Sequence, residues 1–107
     1  MKLDAEQIYA KLIESGDAWS DAEAAADLLE RTRPSVLAKL KNETGAKSDA
    51  ASETLALADQ GYIDFVTGMV QARKVANKAK VRYESAKTLS ELRRSEESTR
   101  RAELTHA

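Results

Sequence analysis

The sequence has no cysteine, one proline, four glycines and one histidine among its 107 residues. Without cysteine, disulfides and thiolate metal sites are excluded. No apolar run approaches the roughly 20 residues that a membrane span needs, so we expect no membrane partner. His106 is the only histidine that could form a nucleophile–histidine pair. The four glycines are isolated in the sequence and form no phosphate-binding loop. These absences favour a non-enzymatic protein with no metal site and no cofactor.

Aromatic residues are also scarce at 5%, whereas 33% of the residues are charged. This composition is typical of a soluble helical protein with a thin core. The segment Met1-Lys2-Leu3-Asp4 places an acid early and is followed by no apolar stretch, so we expect no secretory signal and a cytoplasmic location. A chain of this length predicts a single domain.

The last third of the chain has no helix breaker, since neither glycine nor proline occurs from Met69 to Ala107. Alanine, lysine, arginine, glutamate and leucine dominate there, and all form helix at low cost. One helix over 62–104 would be about 64 Å long, whereas a compact chain of this size has a radius of gyration of about 13 Å. We therefore expect this helix to extend beyond its own body and to meet another molecule.

Local signals divide the first part of the chain into short helices. Asp4 with Gln7 resembles a capping box, and Ser15-Gly16 predicts the end of a first helix. A second helix is expected from Ser20, with a break at 31–33 because Pro34 is best tolerated in a first turn. The third helix should run from Pro34 to Glu43, and Gly45 should close it.

These elements predict an all-α fold in which short N-terminal helices pack on one long C-terminal helix, as a helical hairpin with coiled-coil-like association. The expected map is a single domain over 1–107. It comprises N-terminal helices at 1–45, a linker and helix start at 46–61, the long helix at 62–104, and a tail at 105–107. Whether Gly61 and Gly68 break the long helix stays open.

Apolar or small residues recur on the long helix at alternating steps of three and four, which is the coiled-coil period. This seam has two interpretations. It can cover the chain's own N-terminal helices, or it can pair with another copy. Beyond Tyr83 we expect the N-terminal helices to run out, and self-association or partner binding is favoured there. The second interpretation predicts a homo-oligomer, a dimer or higher, through the following residues: Tyr62, Phe65, Met69, Ala72, Ala76, Ala79, Tyr83 and Ala86.

The charge of the chain is unevenly distributed. Residues 1–61 hold 7 basic and 12 acidic side chains, and residues 62–107 hold 10 basic and 6 acidic ones. Between Asp64 and Glu84 the charges are all positive. This basic segment has three possible neighbours: solvent, an acidic face of the second helix, or a nucleic acid or acidic protein surface. The acidic face is Glu23, Asp27 and Glu30. The candidate nucleic-acid-binding residues are Arg73, Lys74, Lys78, Lys80 and Arg82.

The stretches Ala76-Asn77-Lys78-Ala79-Lys80-Val81-Arg82-Tyr83-Glu84 and Leu92-Arg93-Arg94-Ser95-Glu96-Glu97-Ser98-Thr99-Arg100-Arg101-Ala102-Glu103 resemble small helical proteins of tailed phages and prophages. The resemblance implies an accessory role in the host cytoplasm, either inhibiting a host defence or helping recombination or replication. Our first hypothesis is a protein-binding accessory protein, and the alternative is a nucleic-acid-binding one. The expected protein-binding residues are Tyr83, Leu89, Leu92, Arg93, Arg94, Arg100 and Arg101.

Overall fold

The computed structural model describes residues 4–106, apart from the side chain of His106. Within that range the chain forms α1 (Ala5–Glu43), α2 (Asp49–Ala58) and α3 (Gln60–His106), with no strand. The all-α class and the long C-terminal helix are thus confirmed. Helix α3 includes Thr105 and His106, which were expected in a tail, and Ala107 lies outside the described residues.

The start of α1 follows its sequence signal. The Asp4 backbone N–H donates to Gln7 Oε1 at 3.1 Å, and the Gln7 backbone N–H donates to Asp4 Oδ1 at 2.8 Å. This reciprocal pair satisfies two of the amide groups that a helix N-terminus leaves without partners.

The helix breaks expected at Ser15-Gly16 and at 31–33 are wrong, because α1 is one helix of 39 residues. Gly16 lies where a Cβ atom would come within 3.4 Å of the Tyr83 ring, so its missing side chain serves a close helix contact and not a helix end. Pro34 lies inside the helix, where it removes one backbone hydrogen bond and costs about 3 kcal/mol. Val36, Leu37 and Leu40 beyond it are half-buried, and such packing can offset that cost.

The connection between α1 and α2 uses a left-handed residue and a cap. Gly45 has φ 69°, a conformation that residues with a side chain rarely adopt. Ser48 then caps α2 by accepting a hydrogen bond from the Ala51 N–H at 3.1 Å. Lys41 Nζ lies 2.8 Å from Asp49 Oδ1, and this hydrogen bond raises the pKa of Lys41.

Asp59 alone separates α2 from α3. Its backbone is extended, and its Oδ1 accepts the Gly61 N–H at 2.8 Å, so that it caps the new helix. Gly61 and Gly68 both lie inside α3 and neither breaks it. The question that the sequence left open is therefore settled in favour of a continuous helix.

The chain divides into two compact units. Unit 1 comprises Met1–Asp21 and Asn77–Ala107, which contain the first part of α1 and the last part of α3. Unit 2 comprises Ala22–Ala76 and contains the rest of α1, all of α2 and the start of α3. Most buried apolar residues in the described chain are alanines, which makes both cores thin. The buried apolar residues are Ile8 and Ala79 in unit 1, and Ala26, Ala56, Tyr62 and Ala76 in unit 2.

The first prediction concerns the stability of α3. Nothing lies within 4 Å of a Cβ atom built on Gly68, so Gly68→Ala should gain helix propensity without a clash. We expect the free energy of unfolding to rise by about 0.5–1 kcal/mol, measured by chemical denaturation. Gly45→Ala is the matched control and should destabilise, because its φ of 69° disfavours a side chain. A loss of stability in Gly68→Ala would contradict the open site.

Candidate interaction surface

The eight residues of the predicted seam all lie on the inner side of α3. Each is buried or half-buried within the single chain. In unit 2, Arg33 Nη1 of α1 donates a hydrogen bond to the Tyr62 hydroxyl at 3.2 Å. In unit 1, the Tyr83 ring lies against Gly16 of α1. The chain's own helices therefore cover this seam, and a second copy would reach it only if the helices separated.

The expectation that the N-terminal helices run out beyond Tyr83 is wrong. Half-buried positions continue along α3 at Ala86, Ser90, Arg93 and Glu97, because the unbroken α1 reaches back to Ala5. Residues 98–105 are all exposed. Only this last segment of α3 extends without cover from the described part of its own chain.

An aromatic pair holds α1 against α3 in unit 1. The ring centroids of Trp19 and Tyr83 are 5.3 Å apart and the rings are tilted by 31°. The Nζ atom of Lys80 lies 5.9 Å from the Trp19 ring centroid, at the outer limit of a cation–π contact. Trp19 Nε1 is buried and has no hydrogen-bond partner among the described residues. Tyr83 therefore packs against α1 within its own chain, and only part of its side chain is left exposed to a partner.

Three carboxylates of α1 converge on one guanidinium of α3 in unit 2. Arg73 Nη1 lies 2.8 Å from Glu23 Oε1, Nη2 lies 2.7 Å from Asp27 Oδ1, and Nε lies 2.7 Å from Glu30 Oε2. The acidic residues are spaced four and three apart, which places them on one helix face. Of the neighbours expected for the basic segment, the acidic face is the one that Arg73 meets. This cluster occupies the guanidinium that was expected to contact nucleic acid.

The Arg73 cluster fixes how α1 lies on α3 in unit 2. The hydrogen bonds that Arg73 donates to Glu30, Asp27 and Glu23 raise the pKa of Arg73, which stays protonated at any working pH. A guanidinium offers five N–H groups in a fixed fork, and here that fork meets three acceptors. A lysine ammonium could not reproduce this geometry.

The second prediction tests the Arg73 cluster. Arg73→Met should lower the midpoint of thermal unfolding, because three carboxylates would remain together without a cation. Arg73→Lys should recover part of the loss, since the charge returns without the fork. The matched control is Lys74→Met, because Lys74 is exposed and makes no ion pair with any described residue. Equal midpoints for all variants at low salt would contradict a structural role.

The other basic candidates lie on the surface. Lys74, Lys78, Lys80 and Arg82 are exposed, and within residues 4–106 no ion pair involves them. In particular, Lys78 and Arg82 are four residues apart, so their charges lie on the same side of α3. These side chains remain available to an anionic neighbour.

The residues expected to bind a protein partner fall into two groups. Leu89 and Leu92 are 40% and 57% exposed. Arg94, Arg100 and Arg101 are exposed on the last turns of α3. Arg93 is half-buried, and its Nε lies 3.3 Å from Glu97 Oε1 without forming a hydrogen bond.

A groove of about 530 Å³ runs along unit 1 between α1 and α3. Its lining includes the small residues Ser15, Ala18, Ser85 and Ala86, and Val81 and Leu89 are its largest apolar members. Its charged lining residues are Lys11 and Glu14 on α1 and Arg82 on α3. The full lining is Lys11, Glu14, Ser15, Ala18, Val81, Arg82, Ser85, Ala86 and Leu89.

Of the residues that line this groove, only Arg82, Ala86 and Leu89 belong to a set predicted from the sequence, and none of those on α1 does. The reason is the helix end wrongly placed at Gly16, which removed Ser15 and Ala18 from consideration as part of a longer surface. The useful signal was on α3, where Val81 and Leu89 lie two turns apart outside the seam and both are exposed.

Among residues 4–106, no three side chains of the metal-binding types come together in a way that could hold an ion. None of the helices that the structure describes combines the length and apolar character needed to cross a bilayer. No protein-family model, curated protein or solved structure matches the chain.

Proposed function

We propose that this is a non-enzymatic interaction protein that binds another protein through the groove of unit 1. The observation that carries the proposal is the groove between α1 and α3, which is lined by the exposed side chains of Val81 and Leu89 together with alanine and serine residues. An amphipathic helix fits such a surface, because small residues let it approach closely while aliphatic residues provide apolar contact.

The neighbouring surface supports the same proposal. Leu92, one turn beyond Leu89, extends the apolar stripe toward the uncovered end of α3. Arg94, Arg100 and Arg101 surround that end with charge, as is usual at the rim of a protein interface. Together with the resemblance to phage proteins, these features favour an accessory protein that acts on a protein complex in the host cytoplasm.

The third prediction tests this proposal by photo-crosslinking in the producing cells. A photoreactive residue at Leu89 or Leu92 should give an adduct with a partner protein, because both positions border the proposed contact. The matched control is Val70, which is 58% exposed on α3 of unit 2 and outside the groove. Adducts are identified by mass spectrometry. The proposal fails if Leu89 and Leu92 give no protein adduct or the same adducts as Val70.

A second candidate function is nucleic-acid binding. It is favoured by the exposed side chains Lys74, Lys78, Lys80 and Arg82, which belong to a segment without acidic residues. Arg73, the fifth member of the predicted set, is engaged by carboxylates and cannot contribute equally.

The fourth prediction separates the two candidates. If the basic segment binds nucleic acid, a filter-binding titration should show affinity that falls steeply from low to physiological salt, because phosphate contacts release counterions. Reversing the charge of Lys74, Lys78 and Arg82 should abolish it. The control is the triple variant Arg94→Glu, Arg100→Glu and Arg101→Glu, which carries the same charge change elsewhere. It should bind nucleic acid more tightly than the variant reversed at Lys74, Lys78 and Arg82. No binding of the unmodified protein at low salt rules out this candidate.

A further inference from the structure

The chain exposes more surface than a protein of its mass normally does. Its accessible area is 8048 Å². A globular monomer of 11.7 kDa exposes about 5,900 Å², so roughly 2,100 Å² is in excess. Obligate homodimers bury about 2,000–5,000 Å² in total, half of it from each partner. The excess is therefore large enough to supply one side of a stable dimer.

The thin core points in the same direction. Among the described residues, most of the buried apolar positions are alanines, and the larger Ile8 and Tyr62 keep 5% and 7% of their surface exposed. Two helices can cover only one side of each other, and the aliphatic residues on the remaining sides stay in water. In unit 1 these include Val81, Leu89 and Leu92, which are 61%, 40% and 57% exposed. A second pair of helices would cover them.

We infer that the occupant of the unit 1 groove is a second copy of this chain, which packs groove to groove about a two-fold axis near Ser85. This inference rests on the proposed function and names its partner. The two α3 helices run antiparallel, so Val81 of one copy lies opposite Leu89 of the other. Such a contact is isologous and closes on itself as a dimer.

The register follows from the helix period. At about 100° per residue, Val81, Ser85 and Leu89 lie within one 80° sector of α3. Ser85 is at its centre, and a small residue there permits the close approach that crossing helices require. A two-fold axis at Ser85 repeats the apolar contact on both sides, because Val81 and Leu89 are equally distant from it in sequence.

The fifth prediction is measured by sedimentation equilibrium of the full chain. We expect a monomer–dimer equilibrium with a dissociation constant in the micromolar range or below. Leu89→Glu should weaken it by at least about tenfold, which is roughly 1.4 kcal/mol. The control Val70→Glu makes the same change outside the groove and should leave it unaltered. Far-UV circular dichroism checks that both variants remain helical.

Two further variants test the axis itself. Since the chain has no cysteine, Ser85→Cys should form a disulfide-linked dimer on mild oxidation. Ser98→Cys, exposed beyond the groove, is the control and should crosslink much less.

A monomer at all concentrations, or a dimer that Leu89→Glu and Val70→Glu affect equally, would overturn the inference. So would crosslinking of Ser98→Cys in preference to Ser85→Cys. These results differ from failure of the proposed function. A monomer whose Leu89 crosslinks to another protein refutes the second copy but leaves the groove as a binding site.

Discussion

Close approach of α1 and α3 through small side chains is the constraint on which the structure depends. Gly16 admits the Tyr83 ring, and alanines occupy most of the fully buried apolar positions. Small residues bring helices together but bury little area each, so hydrophobic stabilisation per residue is low. The fold therefore has a well-defined helix register but a small hydrophobic core, and many of its larger aliphatic side chains lie on the surface.

Polar contacts supply part of the register that the thin core does not. Arg73 meets three carboxylates at 2.7–2.8 Å in unit 2, and the pattern of acceptors cannot be satisfied after a slip of one helical turn. In unit 1 the tilted pair of Trp19 and Tyr83 has the corresponding role through apolar contact. Because Arg73 and its partners are partly exposed, salt screens their attraction. Their contribution is more to specificity than to stability.

Local signals in the sequence predicted helix starts better than helix ends. The Asp4–Gln7 pair and the Ser48 cap depend only on neighbouring residues, so the sequence was sufficient. Gly16 and Pro34 gave false ends, because packing of the far side of α1 against other helices outweighs their local cost. The groove itself was not predicted. Its α3 members Arg82, Ala86 and Leu89 belong to separate predicted sets, and its α1 members belong to a helix that local signals had cut short.

The uncovered aliphatic face and the thin core have one physical cause. Two packed helices bury only the sides that face each other, so every further apolar residue must lie on an outer side. Natural monomers rarely retain such residues in a row without a partner. If a second copy covers Val81, Leu89 and Leu92, its binding energy adds to the folding energy by mass action, and stability then rises with protein concentration. Assembly and folding would in that case be coupled.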